Sequence, residues 1–193
     1  MSKDDEVLPY FLQMAANGAL ALDHGLPALP EEFNRSTVLP LACWQTPSFA
    51  LVIFLGYMSP DSETGLHPEV WQCEYERVDD EWRRSSNFSG SAGWFGAEGP
   101  PGTSDGMEGN AVMAGGWLKN PMASDRVEVV VWGWQAPDVD QVSLVQGDER
   151  AIREERCHYG TWVIGSERGD PWKVEAHGRS GKLLGSYRHH GPG

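Results

Sequence analysis

The sequence predicts a mainly β fold: a short N-terminal helix, a β-rich unit, and then an antiparallel β-sandwich. From Arg126 to Tyr187, six short β-type runs recur at near-regular spacing between turn residues, which is the pattern of a sandwich. The first run, V-E-V-V-V-W-G-W, alternates Val127, Val129 and Val131 with Glu128, Val130, Trp132 and Trp134. Twenty-three Gly and thirteen Pro, spread along 193 residues, favour many turns over long helices. Apolar residues make up 40%, with nine Trp, five Tyr and six Phe, so the chain can bury a full core without disulfides or a metal.

Leu8–Leu22 is the one helical segment. Asp4 and Asp5 suit a helix start, and Pro9 is tolerated in a first turn. Phe11, Met14, Ala15, Gly18 and Leu22 fall on one face, and Gly25 and Pro27 end the run. After the Pro-rich link Pro27–Pro30, Thr37–Trp44 and Phe49–Met58 read as strands. The second, F-A-L-V-I-F-L-G-Y-M, is apolar nearly throughout, as in a central strand covered on both faces. Val70–Arg77 alternates Trp71, Cys73 and Tyr75 with Gln72, Glu74 and Glu76. A turn at Asp79-Asp80 then leads to Trp82, giving a hairpin with an exposed acidic face.

Residues 89–116 hold nine glycines and Pro100-Pro101, with little periodicity except near Ala111–Met113, and read as a long loop separating two units. The domains expected are therefore 1–118, a helix plus an acidic β unit with this Gly-rich loop, and 119–193, the sandwich. In the latter, strands are expected near Val127–Trp134, Gln141–Val145, Ala151–Arg156, Trp162–Ser166, Trp172–Ala176 and Lys182–Tyr187. Turns fall at Gln146-Gly147-Asp148, Gly169-Asp170-Pro171 and Gly178–Gly181. The segment G-T-W-V-I, followed by P-W-K-V-E-A-H-G-R-S-G-K-L-L-G, resembles the final strands of immunoglobulin-like modules in small bacterial proteins. The resemblance covers the last third of the chain and implies an immunoglobulin-like sandwich, with no activity attached.

Charge separates the halves. Residues 1–110 hold 17 acids and 5 bases, net −12, and residues 111–193 hold 11 and 10, net −1, which together give the −13 of the chain. Binding to nucleic acid or to an anionic membrane rests on Lys and Arg, so this balance points away from both and towards a basic protein partner. Cys43, Cys73 and Cys157 are too few and too widely spaced for a disulfide framework and read as reduced core thiols. The start M-S-K-D-D-E lacks the design of a secretory signal, and no apolar run reaches the length of a membrane span, so the cytoplasm is the expected compartment.

No motif specifies catalysis or a cofactor. Gly90–Trp94 only echoes a nucleophile elbow, no Gly-Lys-Ser/Thr follows the glycines, and the six histidines lack zinc-ligand spacing. The expected activity is binding, with no cofactor and no metal. The leading candidate surface is the acidic hairpin, Glu69, Glu74, Glu76, Asp79, Asp80 and Glu81, facing a basic partner as an inhibitor or immunity-type protein does. The alternative is a carbohydrate or small-ligand surface built on Trp94, Trp132 and Trp134. If Val127, Val129 and Val131 point inwards, Trp132 and Trp134 point outwards, towards a ligand or a second packed layer, and burial between the two halves is the favoured of the two readings. A third reading is a hydrolase site at the Gly-rich loop, with His67 or His158 as acid–base groups.

Overall fold

The computed structural model describes residues 3–30, 38–56, 69–89, 111–119, 121, 127–152, 158–169 and 171–189. The protein is mainly β, with antiparallel sheets and, among the described residues, one helix, in two compact units, Met1–Glu98 and Gly99–Gly193.

The first unit consists of helix α1 (Lys3–His24) and strands β1 (Val38–Gln45), β2 (Phe49–Gly56), β3 (Glu69–Val78) and β4 (Glu81–Ser89), in the sheet order β1-β2-β3-β4. The helix begins five residues before the expected Leu8, so Pro9 lies inside it, where its missing N–H leaves one intrahelical bond unmade. It ends as expected at Gly25, whose φ of 88° is favourable for glycine and whose N–H donates to Ala21 O at 2.9 Å. Met14, Ala21 and Leu22 are buried, and Met14 and Leu22 form one core with Val38, Ala50, Val52, Phe54, Cys73, Tyr75 and Trp82 from one sheet face. Polar groups pin this docking. Tyr75 Oη donates to the Met14 carbonyl at 2.5 Å, and Asn17 Nδ2 donates to Val38 O at 2.7 Å. Cys43 and Cys73 are free thiols, and burial pushes the Cys73 thiol up to about 12, so it stays protonated at neutral pH. Cys157 lies outside the described residues.

β2 is buried at every position, the central strand its composition predicts. β1 is an edge strand, and its register shifts between Pro40 and Ala42, where proline cannot donate to the ladder.

The second unit comprises β5 (Val112–Lys119), β6 (Val129–Gln135), β7 (Gln141–Gln146), β8 (Glu149–Ile152), β9 (Thr161–Ser166), β10 (Trp172–His177) and β11 (Leu183–His189). Its sheets are β5-β6-β9 and β11-β10-β7-β8. Their inner faces share one core: Val129, Val131, Trp162 and Ile164 from the first, and Val142, Leu144, Trp172, Val174 and Ala176 from the second. That is a two-sheet sandwich. Val129 and Val131 share one face, as their alternation predicts, and that face is the inner one.

The units divide at Glu98/Gly99 rather than at 118/119, because β5 pairs along its length with β6. β5 also occupies the end of the segment expected to be a loop. Gly115 and Gly116 sit within this strand, beside its register shift, and leave room for the indoles of Trp132 and Trp134. A glycine-rich stretch that reads as a loop is here a strand that must lie close to large rings. Of the expected strand Ala151–Arg156, residues 151 and 152 belong to β8 and 153–156 lie outside the described residues. Among the described residues, no helix is long and apolar enough to cross a membrane.

Candidate functional site

The β3–β4 hairpin turns on two residues. Asp79 and Asp80 have φ of 53° and 64°, and Val78 pairs with Glu81 across them. Two consecutive left-handed residues in a two-residue loop make a type I′ turn, whose preferred sequences are Asn-Gly, Asp-Gly and Gly-Gly. Both aspartates are exposed, as are Glu76 and Glu81. Two arginines lie among these acids: Arg83 is 3.5 Å from Glu81 and 3.8 Å from Asp79, and Arg77 is 3.9 Å from Asp80. These exposed ion pairs are long and individually worth little. The Arg77 guanidinium also lies 5.4 Å from the centroid of the Trp82 ring, and Arg84 lies 4.9 Å from that of Phe11, so two of the hairpin's cations serve the core side.

The other two candidate acids stand apart from the tip. Glu69 is half-buried, and Glu74 is only 8% exposed, so the acidic face expected along this strand is not formed at Glu74. The cause is β2. Glu74 pairs with Leu51 and Gln72 with Ile53, on a sheet face where Phe49, Leu51, Ile53 and Leu55 are all buried. Residues opposite one another on paired strands share a face, so Glu74 is drawn into the covering of that face. Burial holds the carboxyls of Glu69 and Glu74 above the ordinary carboxylate range.

A raised folded-state pKa means that the folded protein binds a proton more tightly than the unfolded chain does. Glu74 therefore lowers stability as pH rises through that folded value, and the penalty is fully present above it. Glu74→Gln is expected to raise stability at neutral pH. The gain should shrink to nothing as pH falls towards the unfolded carboxylate range, as urea unfolding at a series of pH values would show. A Gln variant that is less stable at neutral pH would mean that the carboxylate is held by a compensating charge.

The expected aromatic surface is not formed by Trp132 and Trp134. Both are buried, at 0% and 2% exposure, with ring centroids 5.2 Å apart in an edge-on arrangement. Trp94 lies outside the described residues. Among the described residues, the exposed tryptophan is instead Trp117 on β5, at 42%. It pairs with Val131, on the inner-facing side of the strand, and its ring meets that of Trp172 edge-on at 6.1 Å. The His189 ring lies 4.6 Å from it and stacks on Trp172 at 4.8 Å, while Tyr187 stacks on the same indole at 6.1 Å. Trp117 follows Gly115-Gly116 in A-G-G-W-L-K, and reading that segment as the end of a loop hid it.

On the outer face of the four-stranded sheet, Glu175 is clasped by Arg150 at 2.7 Å and Lys173 at 2.6 Å, with His177 Nε2 at 3.7 Å. The hydrogen bond from Lys173, with the charges of Lys173 and Arg150, holds the Glu175 carboxyl below its usual range. Beside it, the Ser143 hydroxyl is fully buried and, like His177 Nδ1, has no hydrogen-bond partner among the described residues. His158 is half-buried, and His67 lies outside the described residues. Among the described residues, no three His, Cys, Asp or Glu side chains converge in a way that could hold a metal ion.

Comparison with protein-family models, curated proteins and solved structures returns no match. The functional reading therefore rests on the chain's own geometry.

Proposed function

We propose that this is a binding protein whose β3–β4 hairpin tip engages a basic partner, carried on a scaffold that includes an immunoglobulin-like module. The scaffold reading is supported by strand order. With β5 to β11 taken in chain order as A to G, one sheet is A-B-E and the other is G-F-C, with the fourth strand joined to C. A constant-type immunoglobulin domain shares this core and places its fourth strand beside E instead.

The observation that carries the binding reading is the turn. Aspartate is a favoured residue at the first position of such a turn, but the second position, which favours glycine for its freedom from a Cβ penalty, here holds aspartate too. Backbone strain kept at Asp80 in place of a cheaper glycine is a pointer to use, and what it retains is a second exposed carboxylate beside that of Asp79 at the apex of a hairpin. Glu76 and Glu81 flank them. Lys or Arg of a partner can displace the loose pairs to Arg83 and Arg77, and complementary charge accelerates such encounters.

Asp79→Asn/Asp80→Gly separates folding from binding. It installs the favoured turn while removing two charges, so stability is expected to rise by about 0.5 to 1 kcal/mol. Binding of a lysine-rich peptide, measured by titration calorimetry at low and high salt, is expected to weaken and to lose much of its salt dependence. Unchanged affinity and an unchanged salt slope would remove the hairpin from the interface.

A further inference from the structure

We infer that the outer face of the β11-β10-β7-β8 sheet is a docking surface for the β3–β4 hairpin tip of a second copy of this chain, an inference that rests on the binding role given to that tip. The register lays three cations in one row across the sheet. Arg150 pairs with Val145, Val145 with Lys173, and Lys173 with Arg188. Residues directly opposite on paired strands project to the same side, and neighbouring strands lie about 4.8 Å apart, so the row spans roughly 14 Å. The next row holds Ser143, Glu175 and Ser186, of which Glu175 is the single acid. Among the described residues of these two rows, Arg150, Lys173 and Arg188 stand against Glu175 alone, a positive balance in a chain whose net charge is −13. The acids nearest in sequence, Asp148 and Glu149, lie at the β7–β8 turn, where Glu149 is paired with Arg168 at 2.5 Å.

The hairpin tip is the complement. Its two strands are spaced as β10 and β11 are, so that Asp79 and Asp80 can meet Lys173 and Arg188 while Glu76 or Glu81 reaches along the row. Hairpin against sheet face is a head-to-tail contact between unlike surfaces, which builds rings or chains of copies.

The test is the mass of the full chain in solution, read by light scattering over a range of concentrations at low and high salt. Assemblies above the monomer mass are expected at low salt and should dissociate as salt rises. Glu76→Lys/Glu81→Lys and Lys173→Glu/Arg188→Glu should each weaken self-association by about tenfold or more. A mixture of the two variants should restore it, because each reversed patch then meets its complement. Circular dichroism checks that both variants fold, and Arg188→Glu alone, outside the Glu175 ion pairs, should act in the same direction. A chain that is monomeric at every salt and concentration overturns the inference, as does a mixture that fails to reassociate. If that monomer still binds the lysine-rich peptide through the hairpin, only the self-docking is lost. Peptide binding indifferent to Asp79→Asn/Asp80→Gly would sink the hairpin reading itself.

Discussion

Gly18→Ala is expected to destabilise the protein by about 3 kcal/mol, against the usual sign for this substitution in a helix. In an exposed helix interior, alanine is favoured over glycine by about 1 kcal/mol. Gly18 is not exposed. A Cβ at this position would fall among the phenol atoms of Tyr75, whose ring is fully buried and whose hydroxyl is bonded to the Met14 carbonyl one turn earlier. The ring has nowhere to swing, since Cys73, Met14 and Trp82 belong to the same packed cluster. The alanine therefore forces the helix off the sheet or breaks the Tyr75–Met14 bond, and either leaves a buried polar group unsatisfied. Urea unfolding checks this, with Ala16→Gly on the exposed side of the helix as the reference for propensity alone. Should Gly18→Ala prove more stable than the parent, the phenol does not lie under the helix.

This contact also marks where the sequence was legible. The face containing Met14, Gly18 and Leu22 followed from three-and-four spacing, and the shared side of Val129 and Val131, which faces the core of the second unit, followed from their alternation. That Gly18 must lack a side chain was not legible, because the residue that needs the space lies 57 positions further along the chain. Glu74 shows a second kind of failure. The apolar run of β2 implied covering on both faces, and a strand paired with β2 must share those faces, so an exposed acidic face on β3 conflicted with the reading of its own neighbour. Alternation within one strand says which residues share a side, and only the neighbouring strands say whether that side is wet. The hairpin tip was readable because a two-residue turn is a local event, set by adjacent φ angles. The basic row on the outer sheet was not, since Arg150, Lys173 and Arg188 come from three strands and meet only through register.

The tryptophans of β6 give the second large expected effect. Trp132→Leu should cost about 3 kcal/mol, because the indole is wholly buried and a large-to-small change leaves a cavity that the surrounding strands fill only in part. A ligand platform on the surface would behave differently, losing affinity while keeping stability. Gly116 supplies the sharper test. A Cβ there would lie 2.8 Å from Trp132 Nε1 and 3.1 Å from Cε2, and the three nearest atoms all belong to that one indole. Gly116→Ala alone should cost about 2 kcal/mol by overpacking. In the Trp132→Leu background the obstructing atoms are gone, so the same alanine should cost little, and the double variant should be more stable than the sum of the single effects by about 1 kcal/mol or more. Strict additivity across this cycle would show that the indole does not rest against β5, and a neutral Trp132→Leu would place Trp132 on an exposed surface rather than in a packed layer.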